Sequence, residues 1–382
     1  MNRNELPLER QLVLMASVEV DEQDKERLAE IVSSPLDWSE VVYQMITHRT
    51  LNMLTYNLKK FALFEQLEGE LKRVLNLQWA AYRERNGFYA SKLTEILHAF
   101  AEQDLVLTVL KGNLLVNTVY PSLETRTFND LDFLMQLDDV NKVTGVLESL
   151  GYVQGEYDAK DHVINVSTRK ARMVHQMTTH EIQEFIQLSD NPFASAVEVD
   201  VNHDILWRGN CPYKVPTREL IARAVPIDLY GAKGYRLDHA DNLIQLCCHL
   251  YKEAVLMVWI TSLKDLKLYK FADLYMYIRK FSSEIDWSVF MERVRHYQLE
   301  KVVYYNFHYI GLLFPEIVPE DVKAAFQQED LAYLDQYAIE NEVPFVWEYD
   351  FFTRLFDVNR ILSVADNAAD NFRRYQTVKS SG

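Results

Sequence analysis

The sequence predicts an α+β protein: a mixed sheet with its own helices, set between two helical regions. Three observations predict it. Residues 105–110 form an apolar run rich in Val and Leu, which reads as a buried strand. After a short helix and a polar loop, Asp130-Leu131-Asp132-Phe133-Leu134-Met135 alternates acid with apolar before turning wholly apolar, the pattern of a second strand. Further on, Val197, Val199 and Val201 alternate with Glu198, Asp200 and Asn202, a third strand with one acidic face. On either side, apolar residues recur at helical spacing. The expected division is a helical region over 1–100, a sheet-containing unit over 101–207 and a helical region over 208–382.

In the first region, Asp37 is placed to cap a helix from Trp38, with Val41, Val42, Met45 and Ile46 along one side. A long helical pattern covers residues 64–100, with Leu71, Val74, Leu75 and Trp79 as its buried stripe. The pair His48-Arg49 reads as structural, with His48 a hydrogen-bonder, and Arg83 and Arg85 read as a solvated face. In the central unit, Gly112 ends the first strand and residues 114–120 begin a short helix, which Pro121 stops for want of an N–H. Asp138 or Asp139 is placed to cap a helix over 140–150, and Gly151 to end it. Residues 152–157, 162–167 and 173–177 are candidate strands, with a basic turn at Arg169, Lys170 and Arg172 between the last two. In the third region, Pro212, Pro216, Pro226 and Tyr230-Gly231 mark a linker-like stretch. Asp238 then caps a helix carrying Leu243, Leu246, Cys247 and Leu250. Helices over 262–280 and 286–296 follow. Asp273, among Phe271, Leu274 and Tyr275, needs a partner, and Lys270 or Arg279 is the expected one. Residues 316–350 are strongly acidic and read as an exposed surface. The tail at 379–382 is expected to fray.

Length and composition narrow the class. The chain has 382 residues and is 48% hydrophobic and 12% aromatic, enough for a sizeable core. Its net charge of -16 argues against long DNA or RNA as a partner, because counterion release by Lys and Arg supplies most of that affinity. No window approaches twenty apolar residues, and the first residues lack the apolar core of a signal peptide. Cys211, Cys247 and Cys248 make no disulfide framework. A cytoplasmic protein without a membrane partner is expected.

The paired aspartates carry the chemistry. Alternate side chains of a strand share a face, so Asp130 and Asp132 project together. At ~4 Å their repulsion costs about 1 kcal/mol in water, and several-fold more in a partly buried site. A hard divalent cation removes the conflict, and Mg²⁺ characteristically takes one or two carboxylates plus phosphate oxygens.

Lys111, Gly112 and Leu115, then Tyr120-Pro121, then Arg126, Asp130, Asp132 and Leu134 follow K-G-x-x-L, Y-P and R-x-x-x-D-h-D-h-L. The set resembles the bacterial family labelled "uncharacterised nucleotidyltransferase", within the superfamily that shares a palm-like core with DNA polymerase β. The resemblance implies that palm as the fold. It implies Mg²⁺ (or Mn²⁺) on Asp130, Asp132 and a third carboxylate, and an NTP such as ATP held near Lys111, Gly112, Asn113 and Arg126. Alignment puts the third carboxylate at Asp200, with Glu198 on the same face as the alternative. Three departures stand out, one of them Asn129, where the residue before the first Asp is usually small. The superfamily turn is usually Gly-Ser or Gly-Gly, where this chain has Gly112-Asn113. The family's acid-x-His-Trp becomes Asp200-Val201-Asn202-His203.

The implied activity is transfer of a nucleoside monophosphate to a hydroxyl of a small-molecule or peptide acceptor, with pyrophosphate released. A tRNA-modifying, toxin-like transferase and a non-catalytic nucleotide-binding protein are the alternatives.

Overall fold

The computed structural model describes residues 3–364, so the tail expected to fray at 379–382 lies outside the described residues. Four helices open the fold: α1 (Leu8–Ala16), α2 (Lys25–Val32), α3 (Trp38–Thr47) and α4 (Leu51–Lys60). The long α5 (Gly69–Ala101) leads into the sheet unit. There follow β1 (Thr108–Val109), α6 (Lys111–Thr118), β2 (Asp130–Leu134), α7 (Val140–Ser149), β3 (Val153–Asp158), β4 (Val163–Val166), α8 (Arg169–Thr178), β5 (Phe185–Asn191) and β6 (Ala194–Asn202). After α9 (Thr217–Ala222) come β7 (Val225–Leu229) and β8 (Ala232–Arg236), then α10 (His239–Val255), α11 (Met257–Thr261), α12 (Leu268–Phe281), α13 (Trp287–His296) and α14 (Glu300–Leu313). Local chemistry starts several of these helices. Asp37 and Asp238 each accept backbone N–H bonds at an N-cap, as their positions predict, and Asp286, expected as the first residue of its helix, does the same for α13. Asp139 holds the N-cap position of α7 without a side-chain bond, and Gly151 follows that helix at φ +86°.

Eight strands form one mixed sheet in the order β4-β3-β5-β6-β2-β1-β8-β7. β2 runs parallel to β6 and β1 parallel to β8, and the other pairs are antiparallel. One face of the β2–β6 pair is wholly apolar. Leu131, Phe133, Val197, Val199 and Val201 are fully buried in a cluster with Tyr89 and Leu93 of α5 and Val143 and Leu147 of α7. Alternation therefore sends the acidic face to the other side, where α10 and α12 lie across it.

Several expectations are corrected. The 173–177 strand and its basic turn are one helix, α8, capped by the Thr168 hydroxyl. No residue of α8 is buried, so Met173, Val174 and Met177 had no sheet face to serve. The 208–238 stretch holds the β7–β8 hairpin, so the sheet continues past residue 207. Tyr230 and Gly231 both have positive φ, the two-residue turn that suits a twisted hairpin, and Pro226 is tolerated because β7 is an edge strand. The 105–110 strand is only two residues long. In the predicted stripe of α5, Leu75 is buried but Val74 is exposed. The buried face lies further along, at Tyr89, Leu93, Ile96, Leu97 and Phe100. Ile46 of α3 is also exposed. Residues 262–267 form a connection before α12 instead of its first turns. The acidic side chains Glu316, Glu320, Glu329, Glu342 and Glu348 are exposed as expected.

Candidate active site

The parallel pairing of β2 with β6 builds the site. Its register sets Asp132 opposite Asp200 and Asp130 opposite Glu198, so all four carboxylates share one face. They line a cavity of about 290 Å³ whose opposite wall comes from α10, α12 and the connection before α12. Glu181 and Glu184, absent from the sequence reading, line the same cavity. Ile186 pairs with Glu198, so by alternation Glu184, just ahead of β5, shares that face.

Crowding is visible in proton affinity. Burial, then Asp130, Glu181, Asp132 and Glu184, hold the Asp200 carboxyl well above its ordinary pKa. Burial and Asp132 raise Asp130. Burial, with Glu198 next, pushes Glu184 up to about 7. One protein cation answers this directly: Lys111 Nζ lies 2.7 Å from Asp132 Oδ1. Burial alone would lower the Lys111 pKa, but Asp132, with Asp130 and Asp200, reverses that and raises it.

Lys111 reaches Asp132 because Leu110 N–H donates to the Asp132 carbonyl at 2.9 Å, which lays the start of α6 across β2. The expected Gly112-Asn113 turn is instead the first turn of α6, and the left-handed residue is Lys111 at φ +38°. A Cβ on Gly112 would meet Phe128 at 3.3 Å, so close packing explains glycine there. Asn113 is buried, and neither polar atom of its amide has a partner among the described residues.

Arg126 lines the cavity but is strongly committed. Its Nε and Nη2 donate to the two Asp273 oxygens at 2.8 and 2.7 Å, and the Tyr120 hydroxyl donates to Asp273 at 2.6 Å. Arg126 is therefore the partner Asp273 needed. The expected partners go elsewhere: Lys270 pairs with Glu253, and Arg279 with Glu19 and Asp21. Arg85, read as a solvated face, donates to the Phe128 carbonyl and to Asn129 Oδ1, steadying the residue before Asp130. His48 is a buried structural residue whose Nδ1 accepts from Leu268 N–H at 3.2 Å.

The donor set suits a hard divalent cation. Asp130, Asp132, Asp200 and Glu198 offer carboxylate oxygens on one face, in mutual repulsion that the protein's own cations only partly relieve. Among the described residues, no group of three or more His, Cys, Asp or Glu side chains is placed to hold a metal ion.

A family model described as "Uncharacterised nucleotidyltransferase" matches residues 34–315. The chain belongs to this family. A search of curated proteins returned no match. The matched span of the nucleotidyltransferase contains every cavity residue named above. The two residues of the altered acid-x-His-Trp segment, Asn202 and His203, have structural work. Asn202 Nδ2 donates to the Phe133 carbonyl at 3.1 Å, tying β6 to β2, and buried His203 faces Arg208 through Nδ1 at 3.1 Å. No helix of the described residues is long and apolar enough to cross a membrane.

Of the cavity cations, Arg49 stood out in the sequence only within the His48-Arg49 pair, read there as structural, and Lys252, Lys264 and Lys267 were not anticipated as site residues. The three lysines lie outside the sheet unit, at no fixed spacing from Asp130, so no local signal marks them.

Proposed function

We propose that this nucleotidyltransferase moves a nucleoside monophosphate from an NTP to a hydroxyl of a small-molecule or peptide acceptor and releases pyrophosphate. The observation that carries the reading is the β2–β6 register, which gathers Asp130, Asp132 and Asp200 on one face of a polar cavity. We read the sheet around β2 and β6 as a polymerase-β-like palm.

Asp130, Asp132 and Asp200 would hold Mg²⁺ or Mn²⁺, with Glu198 beside them as the alternative third carboxylate. When bound, the cation supplies charge stabilisation to the attacking and leaving oxygens. The acceptor oxygen bonds to the α-phosphorus while the α–β bridging P–O bond breaks. The acceptor proton passes to Asp200, and the electron pair leaves with pyrophosphate. The start of α6 at Lys111, Gly112 and Asn113, with Arg126 Nη1 beside Gly112, borders the nucleotide. The acceptor enters from a neighbouring open groove of about 760 Å³, which shares Arg49, Thr127 and Asn129 with the cavity. Ile46, Leu77 and Phe193 are exposed along it, which suits an acceptor with an apolar body.

The test is transfer of label from α-³²P-NTPs, in Mg²⁺ and in Mn²⁺, to cell extract fractionated into small molecules, peptides and RNA. Label is expected in the small-molecule or peptide fraction and is expected to vanish with Asp132→Asn. Equal labelling by the variant would reject the site. Label confined to RNA would reject the acceptor class.

A further inference from the structure

Lys111 faces Asp132 and Arg126 is held by Asp273, so neither is a free counter-charge for a triphosphate. The cavity nevertheless carries five more cations: Lys270, which pairs with Glu253, and Arg49, Lys252, Lys264 and Lys267. Lys252 is buried at 4% exposure, and its hydrogen-bond partner is His180 at 2.8 Å. Burial and neighbouring cations hold His180 well below its ordinary pKa, so it is neutral at pH 7 and brings no negative charge. Among the described residues, the side chains of Arg49, Lys264 and Lys267 have no hydrogen bond or ion pair. Arg49 lies over the Tyr269 ring at 5.5 Å and Lys264 over Trp259 at 5.3 Å. Burial comes first and neighbouring cations second in pushing Lys252 and Lys267 each down to about 8.

The backbone at Arg49 points the same way. Arg49 N–H donates to the Ile46 carbonyl and Thr50 N–H to the Met45 carbonyl, the paired bonds that end a helix through one left-handed residue. Glycine usually takes that position, but here it is Arg49, at φ +58°. Lys264 is exposed, but Lys252 is buried and Arg49 and Lys267 are half-buried, and such cations without a bonded carboxylate are costly unless other charge answers them. The acidic wall on the sheet answers only part of this charge: Glu181 and Asp132 favour the charged form of Lys252, yet burial and neighbouring cations still outweigh them.

We propose that Arg49, Lys252, Lys264 and Lys267 form the cradle for the β- and γ-phosphates of the NTP, and so for the departing pyrophosphate. The inference rests on the nucleotidyl-transfer reading. It assigns the polyanion to residues brought in by the two helical regions and leaves the carboxylates on β2 and β6 to the α-phosphate side. Arg49 supplies a planar fork of donors and the lysines compact charges, together suited to a flexible polyphosphate.

The test is calorimetric binding of pyrophosphate to the full chain in EDTA, and of NTP with Mg²⁺, to wild type and to Arg49→Ala, Lys267→Ala and Lys264→Ala/Lys267→Ala. Lys267→Arg serves as the conservative control, and unfolding curves confirm the fold of each. Wild type is expected to bind both probes. Each single variant should weaken both about tenfold and the double variant more, with Lys267→Arg near wild type. Pyrophosphate and NTP bound as by wild type in all the alanine variants would overturn the cradle while leaving nucleotidyl transfer standing. Pyrophosphate weakened but NTP unchanged would overturn the assignment to NTP and give the cradle to a phosphorylated acceptor. Binding of neither probe by wild type would overturn both readings.

Discussion

The ion pair between Arg126 and Asp273 joins the loop before β2 to α12, and its loss should be felt in stability before anything else. Asp273→Asn leaves the Arg126 guanidinium, 5% exposed, without a counter-charge, and replaces an acceptor used by Tyr120. Removing one partner of a buried, bidentate pair costs about 4 kcal/mol, because the surviving charge stays desolvated. Spread over the unfolding entropy of a chain this long, that lowers Tm by about 5 °C. Replacing both partners by apolar groups of similar size, Arg126→Met with Asp273→Leu, should recover most of the loss, since no orphaned charge remains. Urea unfolding followed by circular dichroism reads all four corners of the cycle, with an expected coupling of about 3 kcal/mol. Asp273→Asn within ~1 kcal/mol of wild type, or a double variant no better than the single one, would refute the reasoning.

Two further outcomes follow from buried titratable groups. His48 is buried, and desolvation with Lys267 and Arg360 nearby lowers its pKa from 6.5 to about 3. The unfolded chain binds this proton more tightly. Stability is therefore full above pH 6.5 and falls as pH drops towards 3, by on the order of 4 kcal/mol; His48→Gln should flatten that slope in acid unfolding curves, and an unchanged slope would refute it. Asp200→Asn relieves the crowding of five carboxylates, so Tm should rise, by on the order of 1 kcal/mol of stability, while transfer falls at least about 100-fold. In scanning calorimetry Mg²⁺ or Mn²⁺ should raise the Tm of wild type more than that of the variant; equal shifts would remove Asp200 from the metal set.

The parts of this protein legible in its sequence are those set by short-range rules. Alternation on 130–134 and 197–201 marks two strands and places Asp130, Asp132, Glu198 and Asp200 on their acidic faces, because side-chain direction follows the two-residue repeat. Asp37, Asp238 and Asp286 mark helix starts because a carboxylate there meets free N–H groups within three residues. The K-G and R-x-x-x-D-h-D-h-L spacings point to the family that the matched span of 34–315 shows. Where local signals conflict, the reading fails. Met173, Val174 and Met177 resemble a strand, yet Thr168 caps them into a helix. Pro226 and Gly231 resemble a linker, yet they serve an edge strand and its turn.

Tertiary structure alone decided what surrounds the aspartates. The register of β2 against β6 set Asp200 beside Asp132, and no spacing in the chain encodes which strand lies next to which. Arg126 met Asp273, 147 residues away, because α12 packs against the loop before β2. Arg49, Glu184, Lys252 and Lys267 entered the cavity in the same way, from elements distant in the chain. Charge pairing and desolvation depend on distance in space, and only the packed fold sets those distances.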